Sequence, residues 1–227
     1  NRLFQFLQSP YPENDVLAPR ENKWDLSDIN LVCGQFVLGS DQLWRDLFVK
    51  ETDYFTCLDW VGSGKSKTAY ATSFGINSFE GDENMRERVG YLLRRFQNIS
   101  VRERDGVELL RNLYGIEARQ VLDPVFLCEK EHYVKMTERG LLRMPEGKFI
   151  GAYLLDITEQ KEGMVFGTAK HFTNGQYEAI SLDSSDKMQL LSNPAIEEWL
   201  AMIQHCDFFL TGSFHGLCFA LIFQKQF

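Results

Sequence analysis

The stretch Asp207-Phe-Phe-Leu-Thr-Gly-Ser-Phe-His-Gly-Leu-Cys-Phe-Ala-Leu-Ile-Phe223 constrains the fold more than any other. An apolar run, Phe208 to Leu210, stops at Thr211-Gly212-Ser213. Phe214, Leu217, Cys218, Leu221 and Ile222 then recur at helical spacing. The pattern predicts strand, tight turn, helix. Ser213 stands where an N-cap belongs, its oxygen placed to satisfy an orphan backbone N–H. His215 then falls in the first helical turn, at the mouth of the strand. Ligands bind at such strand ends in open α/β sheets, and the N–H groups there attract anions. A histidine beside an anion can act as acid or base on it. The same corner with a purely structural histidine is also common.

The rest of the chain repeats this alternation. Strand patterns end in turns at Leu31–Leu38 before Gly39-Ser40-Asp41, at Ala69–Gly75, at Ile99–Arg102 and at Gln120–Pro124. Amphipathic helices are predicted over Glu83–Phe96 and Arg104–Tyr114, the second closed by Gly115. Residues 1–30 read as an irregular lead-in. The charged stretch Glu129–Lys148 breaks the rhythm, and a second series follows. It has strands at Phe149–Leu155 and Tyr177–Leu182, a helix over Ala195–Gln204, and the strand–turn–helix corner. The expectation is an α/β fold of two Rossmann-like halves with mainly parallel sheets and a cleft between them. The halves are expected at residues 1–138 and 139–227, joined within 130–148. Both ends look cut, so each half is expected to be incomplete.

Composition narrows the classes of function. A formal net charge of −8 argues against a broad nucleic-acid surface. Five cysteines are scattered without a C-x-x-C pair, as suits reduced thiols rather than a disulfide framework. Four histidines are dispersed, so no metal site is expected. No leader pattern opens the chain, and no apolar run approaches the ~20 residues needed to span a bilayer. A cytoplasmic protein is the expectation.

Three further motifs carry candidate chemistry. Gly62-Ser-Gly-Lys-Ser66 looks like a phosphate loop, but Asp59 stands where the pattern needs its first glycine. A strand, not a helix, is predicted to follow, so a surface turn is expected. Gly39, Ser40 and Asp41 follow a strand, where glycine admits a ligand to the backbone and the two side chains can bond hydroxyls. The alternative is an N-cap at Ser40 or Asp41 starting a helix that buries Leu43 and Trp44. Ser100-Val-Arg-Glu-Arg104 brings Arg102, Glu103 and Arg104 to a strand end. Arginine grips phosphate or carboxylate bidentately; alternatively Arg102 pairs with Glu103 or Asp123.

Taken in order, Phe36-Val-Leu-Gly-Ser-Asp-Gln-Leu-Trp44, Tyr70-Ala-Thr-Ser-Phe-Gly75, Ile99-Ser-Val-Arg-Glu103, Val121-Leu-Asp-Pro124 and Leu210-Thr-Gly-Ser-Phe-His-Gly216 resemble the polysaccharide pyruvyl transferase family. The resemblance runs from about residue 31 to the end. It implies a GT-B-like arrangement and a transferase moving a pyruvyl group from phosphoenolpyruvate to a sugar, as a ketal. It implies His215 as the catalytic residue. Arg102, Glu103, Gly212, Ser213, Gly216, Gly39, Ser40 and Asp41 would contact substrate. It implies no cofactor and no metal. The acceptor would be a sugar or lipid-linked oligosaccharide of a cell-surface polysaccharide, with peripheral membrane association through that acceptor. Gly212 stands where members often carry Asp, Ser213 where others carry Arg, and Gln226 where Pro is usual. A glycosyltransferase using a nucleotide-sugar and a non-catalytic glycan- or nucleotide-binding relative are the competing readings.

Overall fold

The computed structural model describes residues 27–141, 144–181, 188, 190–191 and 194–227. The chain divides into two compact units, Asn1–Asp123 and Pro124–Phe227. In the second unit, α5 (Lys130–Thr137), within the charged stretch, packs on α7 (Ile196–His205).

The first unit holds α1 (Ser27–Val32), β1 (Gln35–Leu38), α2 (Asp46–Glu51), β2 (Ser66–Thr72), α3 (Glu83–Leu93), β3 (Asn98–Val101), α4 (Arg104–Tyr114) and β4 (Arg119–Gln120). Its four strands pair in parallel, in the order β1-β2-β3-β4. Part of the expected strand over Leu31–Leu38 is helical instead. The helix ends before Cys33-Gly34, and the strand starts only at Gln35. The expected lead-in over residues 1–30 lies outside the described residues up to residue 26. The strand expected at Gln120–Pro124 shortens to two residues, since Pro124 opens a single 3-10 turn.

Both predicted helices form, the second over its expected span and the first ending at Leu93, short of the expected Phe96. Asp82 caps α3 by accepting the Met85 N–H at 2.8 Å. Gly115 ends α4 with φ 63°, a left-handed conformation that glycine adopts without strain. Their apolar faces bury Val89, Leu92, Leu93 and Leu110 against Trp44, Ala69 and Val101.

One irregularity re-aims β2. Its register against β3 shifts between Ala69 and Thr72, where Ala71 takes φ 53°. Ser100 replaces the disturbed ladder bonds: its Oγ accepts from the Ala71 N–H and donates to the Ala69 carbonyl. Such bulges bend a strand end.

The second unit holds α5, β5 (Ile150–Leu154), α6 (Glu159–Phe172), β6 (Tyr177–Ser181), α7, β7 (Phe208–Thr211) and α8 (Phe214–Ile222). The strands run in parallel in the order β6-β5-β7. Their hydrophobic content fits a parallel sheet covered on both faces: Ile150, Ala152, Ala179 and Phe209 are fully buried. Phe149, Leu200, Ile203, Phe219 and Phe223 complete one side of the core, and Leu154, Val165 and Met188 the other. Among the described residues, no helix is long and apolar enough to cross a membrane.

Candidate active site

The order β6-β5-β7 means that the chain leaves β5 toward one side and reaches β7 on the other. Strand order reverses between β5 and β7, and such a reversal opens a crevice at the carboxyl ends of the strands. Tyr153 pairs with Thr211 at that end. The Thr211 hydroxyl spans the two strands by donating to the Tyr153 carbonyl at 3.0 Å. The same oxygen accepts from the Ser213 N–H at 3.0 Å, which fixes the turn.

Helix α8 starts from this turn. Ser213 is its N-cap, with φ −91° and ψ 134°, and its Oγ accepts from the Gly216 N–H at 3.3 Å. Gly216 is required by close approach, because a Cβ there would collide with Thr211 Oγ1. Gly212 differs: a Cβ at that position meets nothing within 4 Å. His215 lies in the first turn, half-buried, its ring edge-on to Phe214 at 5.5 Å. Ser213 and Gly216 thus position the helix start that carries His215.

The remaining candidates gather at the carboxyl end of the first sheet. Asp41 follows β1, makes a bridge to Thr72, and has φ 138°. A non-glycine residue held there costs on the order of 1–3 kcal/mol and persists only when its neighbours enforce it. Here they do. Its carbonyl accepts from the Ser73 N–H at 2.8 Å, and its carboxylate accepts from the Gln42 N–H at 2.8 Å. The Gly39 carbonyl accepts from the Thr72 hydroxyl at 3.2 Å. The alternative of a helix capped at Ser40 or Asp41 is not found: α2 begins at Asp46, and Trp44 is buried from an irregular turn.

Arg102, just past β3, stands among three carboxylates. Its guanidinium lies 3.6 Å from Asp41, 3.8 Å from Glu103 and 3.6 Å from Asp123. The Arg102 side chain is 6 % exposed, that of Asp123 0 %, and that of Asp41 54 %. Glu103 also accepts from the Phe74 N–H at 2.8 Å, tying the end of β2 into the group. The pairing with Glu103 and Asp123 was an open alternative in the sequence; that with Asp41 had no signal there, because it joins residues far apart in the chain. Arg104 turns away, paired with Glu108 on the surface of α4.

Two other features contain none of the candidate residues. Gly62–Ser66 is a turn leading into β2, as expected. There the buried Lys67 amine donates to the Gly62 carbonyl at 2.9 Å, and burial lowers its pKa. A hollow of about 380 Å³ lined by Phe79, Arg86, Leu109 and Leu113 holds none of the candidate residues. Among the described residues, no three His, Cys, Asp or Glu side chains gather as metal ligands would.

The fold and these strand ends define an α/β protein built from two parallel sheets, with its chemistry-bearing side chains at their carboxyl edges. The polysaccharide pyruvyl transferase family model matches residues 2–227, so the chain belongs to that family and is a transferase. No curated protein and no solved structure matches the chain.

Proposed function

We propose that this transferase moves the pyruvyl group of phosphoenolpyruvate onto two hydroxyls of a sugar, as a ketal. The observation that carries the reading is His215 in the first turn of α8, at the reversal between β5 and β7. Helix N-termini favour anions, and phosphoenolpyruvate brings two anionic groups. His215 then delivers its proton to the methylene carbon of the donor. A sugar hydroxyl attacks the adjacent carbon, the C–O bond to phosphate breaks, and a second hydroxyl closes the ketal. Of the two hydroxyl protons released, one restores His215 and the other leaves with phosphate.

The backbone from Gly212 to Gly216 is the proposed cradle for donor anions. Gly39, Ser40 and Asp41 are proposed on the acceptor side, where the half-exposed Asp41 carboxylate accepts a sugar hydroxyl. In this reading the work is done in the cytoplasm on a sugar or lipid-linked oligosaccharide. The test is mass spectrometry of sugar acceptors incubated with phosphoenolpyruvate. A ketal adds a pyruvyl unit, whereas gain of a hexose from a nucleotide-sugar would replace this reading with a glycosyltransferase. His215→Ala should lower kcat about 10²–10⁴-fold while donor affinity changes little. Ketal formation at the wild-type rate by that variant would remove His215 as the acid.

A further inference from the structure

We propose that Arg102 is a positioning residue that sets the Asp41 carboxylate for the acceptor, rather than a ligand of the donor. The proposal rests on the functional reading above for the role of Asp41 and on geometry for the rest. One guanidinium faces three carboxylates at 3.6–3.8 Å. A donor phosphate or carboxylate brought to Arg102 would enter surroundings that already carry more negative than positive charge. The Arg102 side chain, 6 % exposed, also has little open surface on which to receive it.

What Arg102 does reach is the end of every strand in its sheet. Asp41 lies past β1 and Asp123 past β4. Glu103 links Arg102 to the turn after β2 through Phe74, and Arg102 itself follows β3. A planar guanidinium has five N–H donors in a fixed fork and suits several carboxylates at once; an ammonium is a single point of charge. Asp123, fully buried, needs a cation beside it, since an unpaired buried carboxylate is costly. The group is thus anchored on its buried side by Asp123. On the solvent side it ends in Asp41, whose unusual backbone already fixes where the carboxylate starts.

The test uses the full chain. Arg102→Gln combined with Asp123→Asn removes the buried charge together with its partner, so no buried charge is left unpaired, and circular dichroism checks that the variant is folded. It should bind phosphoenolpyruvate with a Kd within about twofold of wild type, while its acceptor KM rises about tenfold or more. Asp41→Asn should raise the acceptor KM similarly, and adding it to the double variant should cost nothing further, as for groups acting as a unit. Donor Kd weakened about tenfold with acceptor KM unchanged would overturn the proposal. So would a folded double variant with both constants unchanged. If wild type forms no ketal, the functional reading falls, and melting temperatures still decide the clamp. Non-additive shifts for Arg102→Gln and Asp41→Asn support it, and additive shifts refute it.

Discussion

Two glycines in one corner should behave differently when each gains a methyl group. Gly216 lies against Thr211, and the Thr211 hydroxyl is already committed to the Tyr153 carbonyl and the Ser213 N–H. Gly216→Ala must therefore displace α8 from β7, at about 1–3 kcal/mol, the usual cost of overpacking. Gly212→Ala meets open space and should change stability by no more than about 0.5 kcal/mol. Denaturant unfolding of the two variants checks the contrast. Equal destabilisation would show that the turn, not the close approach, demands glycine. In the sequence Gly212 reads as a turn residue and Gly216 as an ordinary position in the first helical turn. Only the packing of a helix start on a strand end shows which of them must be glycine.

The elements differ in how plainly the sequence announces them. Helices α3 and α4 were legible because each has an apolar face and a cap or a glycine stop, and α8, apolar nearly all round, because Ser213 caps it straight after the Thr211-Gly212 turn. Helix α6 was not: Gly163 and Gly167 interrupt it, and Met164 and Phe166 stay exposed opposite the buried Val165 and Ala169. No single apolar face stands out in such a segment. Helix α5 is short and hides in a charged stretch. The link between α2 and the loop before α3 was also invisible, because it rests on one buried side chain. Asp46 accepts from the N–H groups of Glu80 and Gly81. Burial nevertheless raises its pKa above the usual 3.8, outweighing those two bonds. A folded-state pKa above the unfolded one means that the folded protein holds the proton more tightly. Stability from this group is therefore lost as pH rises from the unfolded value through the folded one. Asp46→Asn keeps an acceptor oxygen and cannot ionise. It should melt higher than wild type at pH 7, and the difference should close in acid below the unfolded value. A lower melting temperature at pH 7 would show that the charged acceptor outweighs its burial.

At the scale of the molecule, each unit has its own core and its own buried thiols, Cys57 in the first and Cys206 and Cys218 in the second. Burial pushes Cys57 up to about 12 and Cys206 up to about 11, so neither is a ready nucleophile in the folded protein. Cys128 is exposed. A thiol reagent at neutral pH should label Cys128 within the first mixing, and Cys57 and Cys206 only on unfolding. Leu110→Ala empties a fully buried site of the first core, at about 2–5 kcal/mol. It should speed the labelling of Cys57 more than that of Cys206; equal acceleration would mean that the units unfold as one. The alternation of strands and helices showed the two-part plan in the sequence.

That division has a consequence for inheritance. Each unit is one continuous stretch of chain, so a single genetic crossover can exchange one strand edge and leave the other whole. The permissible breakpoint is sharp on one side. Asp123, the last residue of the first unit, is the buried counter-charge of Arg102. Chimeras spliced after Asp123 keep that ion pair within one parent. Those spliced a few residues earlier draw its two halves from different ancestors, and should fold only when both ancestors carry the same pair.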